Sequence, residues 1–237
     1  MHPSNQEFPE LSLMSTLAVK GALVEDVFPD FQSRTGLAVK ALFDPTNVLM
    51  ERIGGGERAT LMIAIDSHID DLISKKVLDR ERSYPIGRTG IGLAIAQGAG
   101  VPPLKTTDDL KRCLLDAKSV AYSRTGASGV YFAALLERLG ISNAVNARAT
   151  IIRKGFTAER ITAGEADIAV QQLSELAVVP GIRIVGPPPE AVQTYTVFKV
   201  AVFTSSATQP FALELIESLR SDTACASYRR FGPECID

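Results

Sequence analysis

Apolar residues along the chain alternate between two spacings, and that alternation predicts strands and helices in turn. Leu11-Ser-Leu-Met-Ser15 has the density of a short strand. From Thr16 to Thr35, Leu17, Leu23, Val24, Val27, Phe28 and Phe31 fall at helical spacing, and Gly36 supplies the stop. Ala38–Phe43 returns to strand spacing, and Thr46–Ile53 is helical up to Gly54-Gly-Gly56. Thr60–Ile65 is almost wholly apolar, as expected of a strand covered on both faces in a parallel sheet. A helix over His68–Lys76 and a buried strand over Gly90–Ile95 follow. Thr107–Leu115 reads as a helix capped by Thr106 or Thr107, with Asp108 and Asp109 complementing its dipole.

The same rhythm continues through the second half. Strands are predicted over Ser119–Tyr122, Thr150–Ile152, Ile168–Val170 and Ile182–Val185. Helices are predicted over Val130–Leu139 and Phe156–Ala163, with a short helical piece at Leu173–Leu176. After the Pro187-Pro-Pro189 turn comes a long β run, Thr194–Phe203, then a helix over Gln209–Leu219 and a second helical stretch. Such alternation predicts an α/β protein of mostly parallel sheets flanked by helices. Tyr84-Pro85 breaks the pattern, and the Thr194–Phe203 run is suited to carry the chain back. We therefore expect two lobes, residues 1–84 with 198–237, and residues 85–197.

Composition narrows the function. The formal charge is −2, aromatics are 6% and tryptophan is absent, which argues against nucleic acid and against stacking platforms. Two histidines and three cysteines without a Cys-x-x-Cys pair argue against a metal site. Pairing of Cys225 with Cys235 needs the tail to fold back and is not expected. No apolar run reaches the roughly twenty residues of a membrane span. The opening MHPSNQEFPE lacks the basic and apolar regions of a signal peptide. The sequence as written predicts a cytoplasmic protein, or a periplasmic one if it is a trimmed mature form.

Ligands of open α/β sheets sit beyond the carboxyl ends of strands, where helix N-termini present N–H groups. Three junctions have that form: Met14-Ser15-Thr16, Asp44-Pro-Thr46-Asn47, and Ser123 through Gly126-Ala127-Ser128-Gly129. Each offers donors suited to a carboxylate or oxyanion, although each is also an ordinary N-cap. No Gly-Lys-Ser follows Gly126, so no nucleotide and no other cofactor is expected. Arg88 could clamp a carboxylate, and Gln171 follows a buried strand where it could bond a polar ligand. Gly-x-Ser-x-Gly is missing, and no nucleophile–base set is visible. Lys20 and Asp66 are the candidate bases for any proton transfer.

These segments, in this order, resemble the periplasmic molybdate-binding proteins and other type 2 periplasmic binding proteins. The likeness is carried by Leu-Met-Ser15-Thr16-Leu-Ala-Val-Lys-Gly-Ala-Leu, Thr46-Asn47-Val-Leu, Gly56-Glu57-Arg58-Ala59, Ile65-Asp66-Ser67, Gly126-Ala-Ser-Gly-Val-Tyr131 and Gly164-Glu-Ala-Asp-Ile-Ala-Val-Gln171. It spans roughly Leu11 to Arg230. The resemblance implies two lobes joined by crossing strands and closing over an anion, held at Ser15, Thr46 or Asn47, and Ala127 or Ser128. Gln171 stands where the molybdate binders carry tyrosine, which turns the expectation toward an organic di- or tricarboxylate. One branch of the superfamily resembles aconitate isomerase and moves a proton without metal. The expected partner is thus a small-molecule anion, with binding as the main function and isomerisation as the alternative. A transporter subunit is expected only if a signal peptide was removed.

Overall fold

The computed structural model describes residues 11–206 and 210–236; residues 1–10 and Gln209, on which two of the readings above fall, lie outside them. The chain opens with β1 (Leu11–Ser15), a helical segment, β2 (Val39–Phe43), a helix and β3 (Leu61–Ile65). The first helical segment runs as a 3-10 turn at Leu17–Val19, α1 (Lys20–Ala22), a π stretch at Leu23–Val27 and α2 (Phe28–Thr35). Pro29 has no N–H to offer Glu25, so the ladder cannot continue in α register through this point. Gly36 ends the segment with φ at 76°, the left-handed conformation that favours glycine. Then come α3 (Thr46–Gly54), α4 (Asp66–Ser74) and β4 (Leu78–Ala96).

The second half contains α5 (Thr107–Asp116), β5 (Val120–Ser123), α6 (Ala127–Arg138), α7 (Ser142–Asn146), β6 (Thr150–Ile152), α8 (Glu159–Thr162), β7 (Ile168–Gln172) and α9 (Leu173–Ala177). It finishes with β8 (Ile182–Gly186), the return strand β9 (Tyr195–Phe203), α10 (Pro210–Leu219) and α11 (Asp222–Arg230). Thr106 caps α5 in a capping box with Asp109.

The strands run β2-β1-β3-β9-β4-β7-β5-β6, with β8 also on β4. β1 pairs in parallel with β2 and β3, and β5 with β6 and β7. The two long antiparallel strands join the halves. β4 pairs with β9 from Leu78 to Gly90, then with β7 and β8 from Ile91 onward. Its passage through Tyr84-Pro85 corrects the expected break: register shifts between Leu78 and Ser83 and between Pro85 and Gly87 absorb the proline. The polar stretch Asp79–Arg82 hides this part of the strand from its pattern.

Each half buries its own apolar cluster. Phe31, Phe198, Val200 and Tyr228 pack in the first, and Leu114, Phe132, Leu136 and Val170 in the second. Cys225 and Cys235 form a disulfide, against expectation, because the tail does fold back. Glu234 pairs with Arg88 through both backbone groups, at 2.8 and 2.7 Å, and so lays the tail along β4.

Candidate functional site

The carboxyl ends of β1, β2, β3, β5 and β7 face one cleft between the halves. Thr16, Thr46, Ser123, Gly126, Ala127 and Gln171 all line it, joined by Leu17, Pro45, Ile65, Gly155, Gln172 and Glu175. The cleft is drawn nearly shut, with about 10 Å³ free, room for about one water molecule. Contacts across it hold this arrangement. Asn47 Nδ2 donates to the Thr125 carbonyl at 2.9 Å, and Lys154 Nζ pairs with Asp44 at 2.9 Å.

Two helices of full length begin on this wall, α3 at Thr46 and α6 at Ala127. Their first-turn N–H groups have no acceptor within the helix, and each N-terminus carries about half a positive charge. Pro45 fixes the entry to α3, where its missing N–H costs nothing. Ser123 shapes the entry to α6, since its hydroxyl oxygen accepts from the Thr125 and Gly126 N–H groups at 3.3 and 3.0 Å. Gly129, part of the third candidate junction, is glycine for a packing reason. A Cβ there would lie 1.8 Å from the Ser123 carbonyl oxygen, so only glycine lets α6 sit against the end of β5. Thr46 Oγ1 and Gln172 Oε1 are buried on the cleft wall without a hydrogen-bond partner. A polar ligand is the natural complement of such groups.

Several candidates are placed elsewhere. Ser15 is fully buried and gives its hydroxyl to the Thr16 carbonyl at 3.0 Å. Ser128 is buried behind Ala127 and does not line the cleft. Asn47 spends its amide on the latch to Thr125. Arg88 lies outside the cleft, paired with Glu234 at 2.7 Å and stacked on Tyr195, because its strand turns that side chain toward the tail. Asp66 opens α4; its carboxylate accepts from the adjacent Ser67 N–H at 2.7 Å, and the residue does not line the cleft. Lys20 lines a neighbouring recess, over the rings of Phe43 and Phe156. Gln171 lines the cleft but is already committed. Its Oε1 accepts from Thr157 N and Oγ1 at 2.7 and 3.0 Å, and its Nε2 donates to the Gly155 carbonyl.

The residue missed in the sequence is Glu175, the one ionisable side chain among the described residues that line the cleft. Burial pushes its carboxyl up from the ordinary 4.5 to about 7, while the Gln172 backbone N–H and the Gln171 side chain pull it back down. Raised so far from the ordinary carboxylate range, it can take or give a proton near neutral pH. In the sequence, Gln172-Leu-Ser-Glu175 reads only as the start of a short helix with glutamate at its third position. Nothing in that pattern reveals burial.

A cleft lined by helix-end donors and closed by latches is the arrangement of a solute receptor. Residues 13–234 match the model of the family described as bacterial extracellular solute-binding protein. The chain belongs to this family. It is 30% identical over 233 residues to an aconitate isomerase of a Pseudomonas species, covering 96% of this chain and 88% of that one. Its fold is that of the periplasmic molybdate-binding protein of Azotobacter vinelandii, with a TM-score of 0.79 at 16% identity over 96% of this chain and all of the other. A sulfate-binding protein from Mycobacterium tuberculosis has the same fold, with a TM-score of 0.73 at 16% identity over 97% and 88% of the two chains. The type 2 periplasmic-binding-protein fold is thereby established, and no helix among the described residues is long and apolar enough to cross a membrane.

Proposed function

We propose that this protein takes a small organic di- or tricarboxylate into its cleft and moves a proton along it, as an isomerase of the aconitate type. The observation that carries this reading is Glu175, a buried carboxyl raised toward pH 7 on a wall whose other described side chains are all neutral. The likeness to an aconitate isomerase over nearly the whole chain supports it.

The reaction needs one base and a stabilised anion. Ionised Glu175 removes a proton from the methylene carbon of the unsaturated acid, and the electron pair spreads through the double bond into the carboxylates. The N-termini of α3 and α6 and the Thr46 hydroxyl stabilise that charge. Glu175 then returns the proton to the former vinyl carbon, so the double bond moves and no proton is gained or lost. The lobes would be residues 1–84 with 198–237 and residues 85–197, closing over the acid. The disulfide and the family's extracellular description support a site of action outside the cytoplasm.

The shared fold of the molybdate and sulfate binders favours a second reading, a receptor that holds the acid without changing it. Calorimetric titration with molybdate, sulfate, citrate and the two aconitates, together with absorbance of the cis and trans isomers, separates the readings. Binding of tricarboxylates with interconversion supports the isomerase. Binding without turnover supports the receptor, and binding of tetrahedral oxyanions alone sinks both carboxylate readings.

A further inference from the structure

Beside the closed cleft lies a recess of about 430 Å³, bounded by Lys20, Gly21, Val24, Phe156, Val178 and Phe231. Three stretches of chain wall both spaces. Leu17 lines the cleft and Lys20, one turn on, lines the recess; Gly155 and Phe156 divide in the same way, as do Glu175 and Val178. The cleft as it stands has room for about one water molecule, whereas the recess beside it is large enough for a carboxylate.

Lys20 is the cation of this recess. Its ammonium has no hydrogen bond or ion pair among the described residues and lies 5.6 Å from the centre of the Phe43 ring and 5.5 Å from that of Phe156. One ring ends β2 in the first half, and the other follows β6 in the second. A cation held only by aromatic faces gains more from a carboxylate, which offers full charge and hydrogen bonds. Gly21 keeps the wall in place, since a Cβ there would meet Phe231 and Val178 at 2.6 Å. Glu25, the other charged residue at the recess, is exposed.

We infer that the recess seats a second carboxylate of the ligand and that Lys20 is the residue that selects acids with more than one carboxylate. This rests on the proposed carboxylate function and goes further, since it assigns the distal end of the ligand. The test is titration of the full chain and its Lys20→Met and Lys20→Arg variants with tricarballylate, a saturated tricarboxylate, and with crotonate, a monocarboxylate. Tricarballylate affinity should fall at least tenfold in Lys20→Met and be largely kept in Lys20→Arg, while crotonate affinity stays within twofold. Unchanged tricarballylate affinity in Lys20→Met overturns the assignment. Equal losses for both acids also overturn it, and show that Lys20 only braces the rings. Wild-type protein that binds neither acid overturns the proposed function itself, and the assignment falls with it.

Discussion

Replacing Glu175 by glutamine should make the protein more stable, and more so as the pH rises. The folded carboxyl sits at about 7 against an ordinary 4.5, so the native state holds its proton over a range in which the unfolded chain has released it. The sign follows from linkage. Below about 4.5 the group costs nothing, between 4.5 and 7 its burial becomes steadily more unfavourable, and above 7 the cost is constant. At 1.36 kcal/mol per pH unit the full cost is about 3 kcal/mol. Glutamine is neutral throughout and keeps an oxygen to accept from the Gln172 N–H. The variant should therefore gain less than about 1 kcal/mol at pH 5 and about 3 kcal/mol at pH 8. Urea unfolding of both proteins at the two pH values measures the difference, because every other titrating group is common to both. An equal gain at pH 5 and pH 8 would refute the buried, elevated carboxyl.

Other consequences can be checked separately. Thr46→Val removes a buried hydroxyl that has no partner, so stability should hold or rise while carboxylate affinity drops about tenfold; a loss of stability would mean that the hydroxyl is already satisfied. Gly129→Ala places a methyl group against the Ser123 carbonyl and should cost several kcal/mol in urea unfolding, on the order of an overpacked core. Arg88→Ala breaks an exposed ion pair, with side chains 45% and 56% accessible, and should cost under about 1 kcal/mol. It should leave ligand affinity unchanged, and a large loss of affinity would return Arg88 to the cleft.

The elements of the fold were legible where periodicity was clean. The apolar run of β3, the capped α5 and the strand-to-helix junctions at Thr46 and Ala127 follow from local pattern, and the cleft forms where those junctions meet. β4 was only partly legible, because Asp79–Arg82 and Pro85 interrupt its alternation and only pairing with β9 makes it one strand. Side-chain aim was legible only at the junctions, where Thr16, Thr46 and Ser123 do line the cleft. Arg88 and Gln171 have the chemistry to bind a carboxylate, yet the tail claims one and the loop at Gly155–Thr157 claims the other. Glu175 escaped notice because its importance comes from burial between two halves distant in sequence. The disulfide was missed for a related reason, since ten residues of separation do not reveal a tail that folds back along β4.

The central claim is that Glu175 carries a proton between two carbons of a bound acid. The most direct measurement is proton NMR of cis-aconitate in D₂O with wild-type protein and with Glu175→Gln, after calorimetry has shown that both bind it. Conversion of cis- to trans-aconitate, present in the wild type and abolished in a variant that still binds, is the predicted result, with deuterium entering the methylene position only as far as the proton held by Glu175 exchanges with solvent before its return. Isomerisation at the same rate in Glu175→Gln would contradict the account.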